Sequence, residues 1–417
     1  MNRYPSYKKT SIDWIQNIPD SWEMYRSKYI FRNKSVKNCV EEPLLSVTQK
    51  DGVVLRSQSD LNVWNPNDDV SGYKLIESGD FVISLRSFEG GLELSKVKGI
   101  VSPAYTVLEK IKIIDENFFW WLMKSYKFIV ELNRHVTGIR QGKNIGWDDF
   151  SNIYLPLPPL NEQKKISKFL DKKTMQIDCL IEKIETKIKL LKERRTVLIN
   201  HFVTKGIKLN VEMKESNSEW IGNIPKHYQM SKLKFIFYEK KSTFNPNLNS
   251  GSISFGRVIY KDDEKILQST KESYQEVRNG EFLINPLNLN YDLKSLRIAK
   301  SRIDVVVSQG YIVLKIFEGY NPDYFEYLLR KFDVLYMKSL GQGVRQTISF
   351  NHLKDEFLVI PPLNEQNEIV DHLNQKTSEI DKLCELELER LLRLKEYRKT
   401  LISVATTGEK LITEEMI

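Results

Sequence analysis

Cysteine is scarce: Cys39, Cys179 and Cys384 are the only three in 417 residues, and no two lie close together in sequence. A disulfide framework and a CxxC-type zinc site are therefore not expected. Histidine is nearly as rare. His135, His201, His227, His352 and His372 are scattered, with no HExxH among them. The chain has no GxxxxGK[ST] loop to cradle phosphates and no GxGxxG turn for a dinucleotide. Asn285-Pro286-Leu287-Asn288 resembles an amino-methyltransferase tetrapeptide only weakly, lacking its second proline and its aromatic residue. Pro322-Asp323 with Glu326 has a superficial nuclease spacing but opens a helix-like segment in one half of the chain, so Asp323 reads as a helix-start residue. Long apolar runs are missing too. The stretch FFWWLM at 118–123 is far too short to span a bilayer. The opening MNRYPSYKKTSIDW has no leader-like apolar core, so no membrane partner and a cytoplasmic location are the expectations. No metal, no cofactor and no catalytic residue is expected in this chain.

What is present is enough to fold. Hydrophobic residues make up 41% and charged residues 28%, the balance of a globular chain with wet surfaces. The length suits two domains of ordinary size with something added. Lys and Arg outnumber Asp and Glu, 63 to 55, giving a formal charge of +8, which favours a polyanionic partner.

The chain is written twice. WIQNIPDSWEMYRSKYIF at 14–31 returns as WIGNIPKHYQMSKLKFIF at 220–237, sharing Trp14, Ile15, Asn17, Ile18, Pro19, Met24, Lys28, Ile30 and Phe31 at an offset of 206. LPLPPLNEQKKISKFLDKKTMQID from Leu155 returns as LVIPPLNEQNEIVDHLNQKTSEID from Leu358 at an offset of 203. Gly138-Ile139-Arg140-Gln141 matches Gly343-Val344-Arg345-Gln346, whereas 46–95 against 252–300 keeps little beyond strand-like texture and Gly79 opposite Gly280. Like edges around unlike centres fit two modules of one fold that bind two different targets.

Each copy closes in a long helical segment. The proline pairs 158–159 and 361–362 block helix beforehand, Asn161 and Asn364 are candidate N-caps, and neither proline nor glycine follows until about Thr204 and Thr407. Alternate steps of four and three give a seam of Leu170, Thr174, Ile177, Ile181, Ile184, Ile188, Leu191, Arg195, Leu198 and Phe202. The second copy gives Leu373, Thr377, Ile380, Cys384, Glu387, Leu391, Leu394, Arg398, Leu401 and Ala405, with polar interruptions at the same two places. Residues 161–205 carry twelve Lys/Arg against six Asp/Glu, and 364–408 carry seven against nine, so the two helices are expected to pair with each other within one chain.

The modules read as mixed α/β. FVISL, VSPAYTVLEKIKI, FLINP and IDVVVSQGYIVLKI are strand-like, and ENFFWWLMKSYKFIVEL and PDYFEYLLRKFDVLYMKSL each read as a helix. The expected division is 1–157, module; 158–205, helix; 206–218, linker; 219–360, module; 361–410, helix.

PPLNEQ followed by a heptad helix ending in a TG-like signal (Thr204-Lys205-Gly206 and Thr407-Gly408), together with the module opening WIxxIPxxW, resembles the repeated regions of type I restriction-modification specificity subunits. Tyr228 replaces the last Trp in the second copy, and Lys205 interrupts the Thr-Gly pair of the first. The resemblance covers nearly the whole chain. It implies two target recognition domains that each read half of a split double-stranded DNA target, and an antiparallel helical spacer. It further implies two modification (methyltransferase) subunits that methylate adenine and restriction (motor-nuclease) subunits, which carry the S-adenosylmethionine, ATP and Mg. Arg and Gln pair bidentately with guanine and adenine. Arg140, Gln141 and Lys143, with Arg345 and Gln346, are therefore the first candidates for DNA contact, and a turn feeding the PPLNEQ segment is the plain alternative for them. Arg56, Arg86, Arg257 and Lys261 are further candidates in the dissimilar stretches. Trp14, Trp22 and Trp220 read as packing anchors. The rival reading is a two-module scaffold that binds no DNA.

Overall fold

The absence of proline and glycine from 161–205 and 364–407 has a direct counterpart in the computed structural model, in which two unbroken helices run Leu160–Lys205 and Leu363–Thr406. The structure describes residues 2–49, 52–58, 69–85, 87–134, 145–287, 296–337 and 348–417. The chain divides into two units, Met1–Thr186 with Leu388–Ile417, and Lys187–Glu387. Each unit holds one module, the beginning of one long helix and the end of the other.

In the first unit a four-stranded antiparallel sheet has the order Phe31–Lys34, Thr106–Lys110, Phe81–Ile83, Glu93–Leu94. Glu23–Arg26 pairs with Tyr154–Leu157, the strand that leads into the long helix. Leu45–Thr48 and Gly52–Leu55 form an antiparallel pair, and Lys74–Ile76 pairs with Gly99–Val101. The second unit repeats the plan. Its sheet has the order Phe237–Glu239, Ile312–Ile316, Phe282–Ile284, Ile298–Lys300, and Gln229–Lys232 pairs with Phe357–Ile360. Gly251–Ser254 pairs with Arg257–Tyr260, and Gln275–Val277 with Val305–Val307. The fold is thus two homologous mixed α/β modules, each followed by a long helix.

The duplicated side chains occupy equivalent places. Phe31 meets Phe81 and Phe119 edge-on with ring centroids 5.4 and 5.6 Å apart, as Phe237 meets Phe282 and Phe325 at 5.1 and 5.6 Å. Trp14, Trp22 and Trp220 are buried anchors, and Tyr228 fills the position of Trp22. The tight turns at Gly79 and Gly280 need positive φ, 94° and 90°, which glycine adopts without steric cost. The acid after each glycine folds back. Asp80 accepts the Glu77 N–H at 2.9 Å and the buried Lys34 ammonium at 2.7 Å, and Glu281 accepts the Arg278 N–H at 2.8 Å and Lys240 at 2.9 Å. Breaking either pair strands a buried charge, which makes these turns sensitive positions.

PPLNEQ recurs because its glutamine joins two elements. Gln163 donates to the Pro158 carbonyl at 2.8 Å and accepts the Asp115 N–H at 2.8 Å. Gln366 likewise donates to Pro361 at 2.9 Å and accepts from Asn321 at 2.9 Å. Asp115 and Asn321 are the N-caps of the module helices Glu116–Lys124 and Pro322–Phe332. Asn161 and Asn364 are not caps. Each lies one residue inside its helix, because the Pro159 and Pro362 carbonyls already accept the first helical N–H groups.

Two further expectations change. ENFFWWLMKSYKFIVEL forms two helices, Glu116–Lys124 and Tyr126–Arg134, separated by Ser125 in extended conformation. The Ser125 hydroxyl accepts the Phe128 N–H at 3.3 Å and so caps the second helix, the local competition that makes serine a helix breaker. In the second module, Pro322–Phe332 passes into a π turn, Asp333–Met337. The buried Asp333 carboxylate there accepts the Ile298 N–H at 3.2 Å and Arg297 Nε at 3.2 Å. Asp323 lies in the first turn, paired with Lys300 at 2.6 Å and Arg302 at 3.0 Å, as suits a helix-start residue.

Candidate nucleic-acid interface

The segments that could not be aligned between the two copies become comparable once backbone pairing is known. Arg56 donates its N–H to the Leu44 carbonyl at 3.0 Å, and Leu44 forms a parallel bridge with Ile100. Lys261 donates to Ser250 at 2.8 Å, and Ser250 bridges Val306 in the same way. Arg56 and Lys261 therefore occupy the same position, the residue that leaves the second strand of the paired segment in each module.

In the second module the hairpin is turned by Phe255 and Gly256, with φ of 47° and 71°. Val258 is buried against Val277, Leu283, Ala299, Val305, Val307 and Val313, and Ile253 packs on the same small core. Side chains alternate along a strand, so Ser252, Ser254, Arg257 and Ile259 take the opposite face, where Ser254 pairs with Arg257 and Ser252 with Ile259. Arg257 and Lys261 are exposed, and among the described residues neither side chain has an ion pair or hydrogen-bond partner. In the first module Leu45 and Val53 hold the paired strands on a core with Ile76, Val82, Val101 and Val107. Arg56 follows, half-buried, with Nε and Nη1 buried and lacking a hydrogen-bond partner among the described residues. A buried guanidinium with idle donors is costly unless something accepts from it. Arg86, Arg140, Gln141, Lys143, Arg345 and Gln346 lie outside the described residues.

Behind the first-module strands is a cavity of about 790 Å³, reached by Gln49, Gly52, Val53 and Trp120. Four of its charged groups, Glu93, Lys124, Asp171 and Arg398, are engaged. Lys124 pairs with Glu93, whose carboxyl is pushed above the usual range by burial, and Arg398 pairs with Asp178 at 2.7 Å. Trp121 Nε1 donates to Asp171 at 2.8 Å.

Along the long helices Leu170, Ile177, Ile184, Ile188, Leu373, Ile380, Leu391 and Leu401 are buried, and Ile181, Leu191, Leu198 and Leu394 are half-buried. Near the end of the first helix burial moves to Ile199 and Val203, one residue past Leu198 and Phe202. A 3.6-residue turn drifts off a 3.5-residue stripe, and there the helix also serves the module core. Within the first unit Asp178 meets Arg398 and Glu185 meets Lys395 at 2.9 Å; within the second, Arg195 meets Asp381 at 3.0 Å and Lys187 meets Glu387 at 2.6 Å. In each unit residue numbers rise along one helix as they fall along the other, so the helices pack antiparallel. Both threonine interruptions bond back into their own helices, Thr174 to the Leu170 carbonyl at 2.6 Å and Thr377 to the Leu373 carbonyl at 2.7 Å. Lys205 lengthens the first helix end, after which Gly206 donates back to Phe202 at 3.0 Å.

Among the described residues no cluster of three or more His, Cys, Asp or Glu could hold a metal ion, and no helix is long and apolar enough to cross a membrane.

Comparison with known proteins agrees at the level of family and fold. The family model described as type I restriction modification DNA specificity domain matches twice, at 50–190 and 210–390. The type I restriction enzyme MjaVIII specificity subunit of Methanocaldococcus jannaschii is 25% identical, over 94% of this chain and 93% of that relative. The EcoKI specificity subunit of Escherichia coli is 22% identical, over 73% and 67%. Among solved structures, a chain from work on complex assembly and conformational transition of the type I R-M system aligns with TM-score 0.64 and 15% identity, over 94% of this chain and 99% of that one. The HsdS subunit of Thermoanaerobacter tengcongensis aligns with TM-score 0.54 and 15% identity, over 94% and 98%. With both modules matched, the chain belongs to the type I restriction modification specificity family, as a non-catalytic subunit that binds the target DNA sequence and works with the methylase and restriction subunits.

Proposed function

We propose that each module reads one half of a bipartite DNA target, and that the antiparallel helices act as the spacer between the two readings. Two modification subunits would carry S-adenosylmethionine and methylate adenine; restriction subunits would bring ATP and Mg. The supporting observation is a cation that has no partner among the described residues at one equivalent position in both modules, Arg56 and Lys261, on segments whose sequences have diverged while their pairing has not. Lys261 acts on phosphate and sets register, and Arg257, whose guanidinium is free on the outer hairpin face, reads a base edge. Arg86, Arg140, Gln141, Lys143, Arg345 and Gln346 are carried as further contacts on residue type alone.

The experiment is an exchange of residues 219–360 for the matching module of a relative, followed by sequencing of the methylated sites. One half of the site is expected to change. A change in both halves, or in neither, overturns the modular reading. Loss of all DNA binding by a folded, assembled complex would return the scaffold reading.

A further inference from the structure

We infer that Phe255 is an aromatic wedge that enters a base step of the DNA half-site read by the second module; the inference rests on the DNA-reading function proposed above. The two-residue turn at Phe255-Gly256 requires positive φ at both positions, a demand normally met by Asn-Gly or Gly-Gly. A phenylalanine at φ 47° is a steric outlier. The strained residue is not compensated by burial, since Phe255 remains 80% exposed. Strain held at an exposed tip is a mark of function.

The tip has firm support. Gly256 sits so close to Leu296 that an added Cβ would lie 2.6 Å from its Cδ1. Phe255 is thus presented from a hairpin braced below by Leu296 and by the Val258 core. The same hairpin carries the chemistry and charge of a nucleic-acid contact: Arg257 two residues from the ring and Lys261 at the far end of the strand, neither with a partner among the described residues, with Ser252 and Ser254 on the outer face. Cations hold phosphates while an apolar ring opens or stacks on a base step, the division of labour seen where side chains kink a duplex. A protein pocket receiving Phe255 would need no flanking free cations.

The test uses the full chain assembled with its modification subunits, and cognate duplexes carrying 2-aminopurine at successive positions of the second half-site. Wild type should raise the fluorescence at one step. Phe255→Asn, which suits positive φ, should abolish that rise and weaken cognate binding about tenfold or more, with thermal stability unchanged or higher; Phe255→Trp should keep the signal. Wild-type affinity and fluorescence in Phe255→Asn overturn the wedge. So does loss of assembly with the modification subunits by a folded Phe255→Asn chain, which would assign the ring to a protein surface. Arg257→Ala and Lys261→Ala separate the two levels. If they weaken binding while Phe255→Asn does not, the hairpin reads DNA without a wedge. If none of the three has an effect while the complex still binds, the hairpin is not a DNA surface.

Discussion

Arg195 and Asp381 form a two-point ion pair, Nε to Oδ1 at 3.0 Å and Nη2 to Oδ2 at 3.3 Å, and Arg398 and Asp178 form the same pair in the other unit at 2.7 and 3.0 Å. The two arginines interrupt their seams at the same place, and each aspartate belongs to the QID or EID triplet of the opposite helix. The duplication therefore repeats a cross-helix lock, with its two halves on different copies of the motif.

These pairs are partly exposed, so they fix register more than they add stability. Arg195→Glu should lower the melting temperature slightly, and Arg195→Glu with Asp381→Arg should recover most of the loss. A double-mutant cycle should give a coupling of about 1 kcal/mol or less. Strict additivity would mean the pair is not formed in solution.

Gln163 and Gln366 should be far more sensitive. Gln366→Met leaves the Asn321 N–H and the Pro361 carbonyl without their partner in a buried place. A cost of about 1–3 kcal/mol per abandoned group is expected, with Gln163→Met behaving alike. Chemical denaturation measures it, and a change under 0.5 kcal/mol would show that water replaces the amide.

Lys331 gives the pH dependence its sign. It is buried, 3.4 Å from both Thr204 Oγ1 and the Ile221 carbonyl, and burial brings its pKa down from 10.5 to about 8. Between those values the unfolded chain holds a proton that the folded chain has released, so stability rises with pH through this window, by on the order of 3 kcal/mol. Lys331→Met should be more stable than wild type at pH 7, with the advantage shrinking by pH 10.5. Parallel pH profiles of the two proteins would contradict this.

Arg56 and Lys261 should trade stability against binding. Lys261→Ala is expected to reduce the slope of log K against log salt by about one, with little effect on sequence preference. Arg56→Met removes idle buried donors, so the free chain should melt higher while the complex binds its DNA more weakly. An Arg56→Met complex with unchanged affinity would leave Arg56 a purely structural residue.

Much of this architecture is legible without coordinates. Period and composition suffice for the long helices, because a forty-residue stretch free of proline and glycine with a sustained apolar stripe has few alternatives. The duplication is equally plain, since proline pairs, the bridging glutamines and the aromatic anchors act through short-range geometry that tolerates little change. The arginine interruptions at Arg195 and Arg398 are visible as well. Their partners are not, because Asp178 and Asp381 meet them only once two segments about 200 residues apart run antiparallel.

Other features were settled by tertiary structure. Ser125 lies inside an apolar period that reads as one helix, and the break there shows only in the structure, where its hydroxyl caps the second helix and Phe118 and Phe128 from the two helices join one core. Strands of three or four residues carry too little alternation to fix register, so the equivalence of Arg56 and Lys261 comes from the sheet pairings with Leu44 and Ser250. Sequence by itself determined what repeats along the chain, since local conformation and periodicity are properties of neighbouring residues. The tertiary structure decided which charges are matched and which stand free, because that depends on side chains brought together across hundreds of residues.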